Sequence, residues 1–301
     1  AIDTTWAFRT KSRSDGMIDK LKARVCARGF RQIEGKDFIE TTSPVTVFAA
    51  WRATMADAAR PHWWVDLIDI KSAFLMADLQ EEVYLKPFEG VTPPKPGMHM
   101  LLHKALYGLR QSSRAWHLVL KEKFLQMGFS QAVTDPSLFI YNGKKGEKLR
   151  VCVHVDDCCC RFNSQELYAA FRYALEEHFE ISVSDNKNVY LGVLINRHKD
   201  SSISLSQQPY IIETLARYGM SDCKGANMPY LSGVKLSEDQ RPKTDEEKKE
   251  MMNVPYKSLI GSLLYIANAT RPDICHAVHA CARHGSNPGK IHYKAALQIL
   301  R

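Results

Sequence analysis

The sequence predicts a mixed α and β fold, on three observations. Two apolar runs rich in branched residues, 63–75 and 149–162, have the composition of buried strands. Trp116, Leu120 and Phe124 recur four apart within 114–127, the spacing of one helix face, and Gly128 stands where that helix should stop. At 301 residues and 45% hydrophobic, the chain can bury a large core and split it into two or more subdomains.

The elements follow in order. Residues 1–48 are basic and mixed. Asp15-Gly16 is a hairpin-turn signal between two basic strands, the second carrying Lys20, Lys22, Arg24 and Arg28. Residues 63–75 form the first core strand and run into a helix. Residues 87–96, rich in proline and glycine, form a loop. Residues 149–162 read as two strands folded back about Asp156-Asp157. Ser164 caps a helix over 164–179. Residues 190–195 read as one further strand. Residues 232–252 are charged and poor in apolar side chains, so a linker or exposed loop is expected. Residues 255–267 and 273–283 have helical character. No internal repeat is visible.

Lys plus Arg is 41 and Asp plus Glu 33, a net charge of +8, which suits a polyanionic partner without requiring one. The run Cys158-Cys159-Cys160 does not suit a mutual disulfide framework and points to a reducing compartment and buried thiols on a strand. No apolar stretch reaches the roughly 18 residues that cross a bilayer. The start lacks Met and a signal pattern, and the end falls inside a helical pattern, so an internal piece of a longer polyprotein is expected.

Three aspartates carry the chemistry. Asp69 lies in Asp66-Leu67-Ile68-Asp69-Ile70-Lys71-Ser72-Ala73-Phe74-Leu75. On a strand, residues three apart point to opposite faces, so Asp66 and Asp69 cannot share a site. Taken alone, this stretch reads more readily as Asp69 capping the following helix with Phe74 in the core. If a metal-bound nucleotide sits at Asp69, Phe74 is the ring that clashes with a 2′-hydroxyl. Asp156 and Asp157 close an apolar run, where neighbouring carboxylates repel unless a cation pairs with them. Divalent metal held by carboxylates is the machinery of nucleotidyl transfer. In residues 104–116, Gly108 permits close backbone approach, and Arg110 and Arg114 are candidate phosphate ligands. The residues Cys275, His276, His279, Cys281 and His284 suggest zinc. On a helix 275 and 279 share a face while 281 points elsewhere, so no zinc site is expected.

Taken together and in this order, the motifs resemble the reverse transcriptase of copia-type retrotransposon polyproteins over nearly the whole chain. Residues 22–32 (Lys-Ala-Arg-Val-Cys-Ala-Arg-Gly-Phe-Arg-Gln) look like that family's fingers strand, and Asp37 to Val45 follows as it does there. Asp69 to Leu75 is similar to the motif with the first catalytic Asp, Leu106 to Trp116 to the nucleotide- and template-contacting motif, and Val155-Asp156-Asp157 to the paired-Asp motif. Tyr190-Leu191-Gly192 looks like the primer-gripping segment. Residues 256–265 and 270–274 match the region before an RNase H domain.

The resemblance implies an α+β right-hand polymerase with an antiparallel palm sheet packed on helices. Fingers would span 1–61 with 77–112, palm 62–76 and 113–196, a thumb-like region and linker 197–250, and a connection region 251–301. It implies RNA-directed DNA polymerase activity, with Asp69, Asp156 and Asp157 binding two Mg²⁺. Lys22, Arg24, Phe74, Tyr107, Gly108 and Arg110 would bind the nucleotide, and His154, Leu191 and Gly192 would contact the primer. Implied partners are an RNA or DNA template with primer, dNTPs and the rest of the Pol polyprotein including RNase H, with no membrane. The implied location is a cytoplasmic virus-like particle or the nucleus, not the secretory route. The chain departs from the family pattern at His154, where Tyr is usual, at Ser113 in place of Pro, and at Met76-Ala77 in place of Asn-Gly. These departures motivate an alternative, a degenerate remnant that binds nucleic acid without chemistry. A metal nuclease is weaker, because a nuclease needs no sugar gate.

Overall fold

A computed structural model describes residues 1–12, 17–93, 95–183, 188–231 and 233–301. The Asp15-Gly16 turn signal lies outside them. The chain divides into two compact units, Ala1–Lys187 and Asn188–Arg301.

The first unit opens with a hairpin of β1 (Thr4–Ser12) and β2 (Ile18–Ala27). Helix α1 (Phe48–Ala58) leads to β3 (Trp64–Ile70), and a 3₁₀ turn at Ala73–Met76 follows in place of a full helix. Strands β4 (Asp78–Leu85) and β5 (Met100–Lys104) pair across the proline-rich loop. Helix α2 (Ser112–Gln126) buries Trp116, Leu120 and Phe124, the face its four-residue spacing predicted. It ends at Gly128, which has φ of 86° and supplies the left-handed residue a helix terminus needs. After β6 (Ser130–Gln131) and β7 (Leu138–Asn142), β8 (Lys148–His154) and β9 (Asp157–Phe162) form a hairpin about residues 155–156. Helix α3 (Gln165–Glu176) starts at Ser164, whose hydroxyl accepts the Leu167 N–H, and β10 (Ile181–Val183) closes the unit.

The central sheet is antiparallel with strand order β10-β3-β9-β8-β7-β6. Its alternation divides side chains between two faces. Ile68, Ile70, Val151, Val153, Cys158, Cys160 and Phe162 join Trp116, Phe124, Tyr168, Phe171 and Leu175 of α2 and α3 in one core. The opposite face meets α1: the Trp51 indole N–H donates to Cys159 Sγ at 3.4 Å, and buried Arg161 pairs with Asp57 at 2.6 Å. The three consecutive cysteines are all buried, as a strand between two packed layers requires. Burial pushes their thiols well above the ordinary range.

The second unit has a three-stranded sheet of β11 (Val189–Tyr190), β12 (Val193–Arg197) and β13 (Ile203–Ser206), in that order. Helices α4 (Gln208–Arg217), α5 (Asp245–Met252), α6 (Tyr256–Ala269), α7 (Cys275–Ala282) and α8 (Lys290–Leu300) follow. Two sequence expectations are corrected here. Residues 190–195 are not one strand: Leu191 and Gly192 take φ of 49° and 73° and turn β11 back on β12. Residues 232–252 are not only linker: Thr244 and Glu247 form a reciprocal capping box, and that local bonding starts α5 in a stretch with no apolar stripe. The α7 side chains that suggested zinc have other partners. His276 Nδ1 meets the Tyr230 hydroxyl at 2.7 Å, and His279 Nδ1 lies 2.8 Å from the Cys275 carbonyl oxygen.

Candidate active site

Asp69 and Asp157 are directly paired across β3 and β9. Residues so paired project to the same face of a sheet. The Ile70 N–H donates to the Asp156 carbonyl at 2.9 Å, one residue beyond the pair on each strand. That pattern marks Asp69 and Asp157 as a non-hydrogen-bonded pair, the type in which Cα atoms come to about 4.5 Å and side chains crowd. His154 sits across from Asp157 on β8, so His154, Asp157, Asp69 and Ser182 form one row across four strands. Asp66 falls on the other face, as the strand period demands, and its charge acts on Tyr168 of α3.

Asp156 occupies the hairpin turn. Its carboxyl is held above the ordinary range, first by burial and then by the charge of Asp69, with Arg24 and His154 opposing. Together with Asp69 it lines a cavity of about 570 Å³. The same cavity is lined by Lys20, Lys22 and Arg24 of β2, by Lys71, Ser72 and Leu75 after β3, and by Tyr107. The Arg24 guanidinium stacks 5.2 Å from the Tyr107 ring centre, which orients an otherwise flexible cation. Lys71 is turned aside into an ion pair with Glu180. A separate cavity of about 470 Å³ has the wrong charge for phosphate, being lined by Glu40, Asp78, Glu81 and Glu122 with Arg114 as its arginine.

The structure therefore brings Asp69, Asp156, Lys22, Arg24 and Tyr107 together. Other predicted site residues lie elsewhere. Phe74 does not line the cavity. It is half-buried behind the wall and packs edge-on against Tyr107 at 5.3 Å. Gly108 approaches protein backbone: with φ of 89°, a Cβ there would overlap the Ala27 carbonyl. Arg110 donates from Nε to the Gly29 carbonyl at 3.0 Å and lies over Phe38 at 5.3 Å, outside the cavity lining. Asp157 is beside Asp69 on the sheet but is also absent from the lining. His154 is half-buried, burial holds its imidazole below the ordinary range against the pull of Asp156, and its buried Nδ1 has no hydrogen-bond partner among the described residues. In the second unit, Leu191 and Gly192 form the turn described above. The Tyr265 hydroxyl donates to the Leu191 carbonyl and would lie 2.6 Å from a Cβ at position 192.

Sequence reasoning passed over Gln32 and Gln111. Both are buried; Gln32 Nε2 donates to Gln111 Oε1 at 2.9 Å, and Gln32 Oε1 accepts the Arg110 N–H at 2.8 Å. With the Ala27 N–H to Tyr107 carbonyl bond of 2.7 Å, they clasp the end of β2 to residues 107–111 and so fix Tyr107 beneath Arg24. Nothing in the pattern flags them, because a buried amide is identified by its partners.

Among the described residues no group of three or more His, Cys, Asp or Glu side chains is close enough to hold a metal ion, and no helix is long and apolar enough to cross a membrane. Two carboxylates lining one cavity still form a hard-oxygen donor set of the kind Mg²⁺ accepts, since that ion commonly takes one or two protein carboxylates and completes its shell with water and phosphate.

A family model described as reverse transcriptase (RNA-dependent DNA polymerase) matches residues 1–232. The retrovirus-related Pol polyprotein from transposon TNT 1-94 of Nicotiana tabacum is 35% identical over 298 residues, covering 98% of this chain and 22% of that protein. The corresponding polyprotein from transposon RE1 of Arabidopsis thaliana is 33% identical over 302 residues, covering 100% of this chain and 20% of its own length. The chain thus spans about a fifth of the length of these relatives. A solved foamy viral protease-reverse transcriptase, in complex with double-stranded DNA, covers 99% of this chain and 43% of its own at 11% identity and a TM-score of 0.44. On the family match over residues 1–232 and these relatives, the chain belongs to the reverse transcriptase (RNA-dependent DNA polymerase) family, in its copia-type retrotransposon branch.

Proposed function

We propose that this chain carries out RNA-directed DNA synthesis, adding deoxynucleotides to a primer 3′-hydroxyl on an RNA or DNA template. The observation that carries the reading is the cavity in which Asp69 and Asp156 face Lys20, Lys22 and Arg24. Carboxylates on one side and cations on the other match a metal-bearing triphosphate. Members of the reverse transcriptase family generally use divalent metal. Asp69 and Asp156 would hold Mg²⁺, with Asp157 beside Asp69 as a further carboxylate. Metal held there would supply Lewis-acid charge, lowering the pKa of a primer hydroxyl and offsetting the charge of a triphosphate and its leaving pyrophosphate.

The chain's own residues do the positioning. Lys22 and Arg24 bind phosphate oxygens, and Tyr107 keeps the Arg24 guanidinium oriented. In-line attack then rests on placement and charge stabilisation. Phe74, packed against Tyr107, gates the sugar by keeping that wall rigid. Leu191 and Gly192 offer turn backbone to the primer strand. Residues 1–61 with 77–112 serve as fingers, 62–76 and 113–196 as palm, 197–250 as a thumb-like region with its linker, and 251–301 as connection to an RNase H domain of the Pol polyprotein. A virus-like particle or the nucleus is the setting that fits this use.

Primer extension on poly(rA)/oligo(dT) with Mg²⁺ tests the proposal. Extension by the wild type and none by Asp69→Asn is expected. Equal extension by both would reject the carboxylate assignment. One observation favours a second reading, a remnant that binds nucleic acid only: the orphaned Nδ1 of His154 next to the carboxylate turn. Salt-sensitive binding of primer–template by a wild type that synthesises nothing would select it.

A further inference from the structure

The turn that presents Asp156 is strained. Val155 has φ of 60°. Left-handed backbone is costly for any side chain and most costly for a β-branched one. Of the left-handed non-glycine residues among those described, His62, Ser72, Val155, Leu191 and Ser201, it is the β-branched one. Such a conformation persists only where the surroundings impose it.

The surroundings here are specific. The Trp116 indole N–H donates to the Val155 carbonyl at 2.6 Å. Trp116 is 1% exposed within the core of the first unit, so burial on all sides leaves its ring no freedom to follow the turn; Phe179, edge-on at 5.2 Å, is one of many neighbours. One residue later, the Asp156 carbonyl accepts the Ile70 N–H at 2.9 Å. Two successive carbonyls are thus anchored, one to α2 and one to β3, and the carboxylate between them and the cavity is aimed by both.

We propose that Trp116 is a positioning residue for synthesis: its indole N–H locks Val155 in the left-handed conformation and so sets where the Asp156 carboxylate stands beside Asp69. The role in synthesis rests on the polymerase reading above, whereas the locking of the turn does not.

The test separates the two. Trp116→Phe keeps an aromatic ring and removes the donor. In the metal-free chain, hydrogen exchange at the Ile70 amide should accelerate about tenfold, with protection in the rest of α2 unchanged. In primer extension, kcat should fall at least tenfold and half-saturating Mg²⁺ should rise, while KM for dNTP changes less than twofold. Val155→Gly added to Trp116→Phe should recover most of the lost kcat, because glycine adopts that φ without a lock. Phe179→Leu perturbs the same packing but keeps the N–H and should leave Ile70 exchange within twofold of wild type. Unchanged Ile70 exchange in Trp116→Phe, an equal effect of Phe179→Leu, or a double variant no better than the single one would each overturn the proposal. A wild type that extends no primer, with the exchange results as expected, would remove the polymerase reading and leave the locked turn standing.

Discussion

At the scale of single residues, the site trades stability for charge. Asp156 is held above the ordinary carboxyl range by burial and by Asp69. Between the unfolded value of about 3.9 and the raised folded value, the folded chain binds the extra proton, so stability falls as pH rises through that window. Above it the full cost of an ionised, half-buried carboxylate is present. Asp156→Asn removes that cost, and should raise the Tm of the metal-free protein at pH 7 by a few degrees while abolishing extension. Differential scanning calorimetry at pH 4 and pH 7 checks the sign: the variant's advantage must shrink at pH 4. Phe74 makes a second residue-scale prediction. Its ring braces Tyr107 at 5.3 Å. Phe74→Val should raise ribonucleotide incorporation relative to deoxynucleotide by at least tenfold in competition assays, and an unchanged ratio would remove it as the gate.

At the scale of elements, the cavity is held open by a backbone clasp more than by side chains. The end of β2 and residues 107–111 approach so closely that a Cβ on Gly29 would overlap the Gly108 carbonyl and one on Gly108 the Ala27 carbonyl. The buried pair Gln32 and Gln111 seals this approach. Gly108→Ala carries two penalties, a left-handed φ and a backbone overlap, and should destabilise the first unit by about 1–3 kcal/mol in urea unfolding. It should also weaken dNTP binding, because Tyr107 moves away from Arg24. A neutral Gly108→Ala would show that the clasp yields easily. The hairpin of β8 and β9 works the other way, since its turn is fixed by donors from two different elements.

For the molecule as a whole, the net charge of +8 is partly laid along one cavity, where β2 places Lys20, Lys22 and Arg24 beside Asp69 and Asp156. On the proposed function, cations in that place would draw a polyanion to the carboxylates, and each phosphate they neutralised would release counterions. Primer–template binding should therefore weaken steeply from 50 to 200 mM salt. Replacing Lys22 and Arg24 by Gln should lower the slope of log K against log salt by about 1 for each phosphate no longer neutralised. An unaltered slope, measured by fluorescence anisotropy, would move the nucleic-acid path off this strand.

The sequence by itself determined the elements and the chemical candidates. Apolar periodicity was enough for α2, apolar runs rich in branched residues were enough for β3, β8 and β9, and motif order was enough for the family. Local patterns are carried by neighbours in the chain, so one sequence suffices to read them. It was not enough for residues 190–195 or 232–252, where a left-handed pair and a capping box overrode composition. Tertiary structure alone decided which candidates meet. It set Asp69 opposite Asp157, put Lys22 and Arg24 over the cavity, and turned Arg110 and Gly108 to structural tasks. It also brought Trp116 to Val155 across 39 residues of chain. Sheet register and helix packing fix these meetings, and both depend on packing between segments remote in sequence.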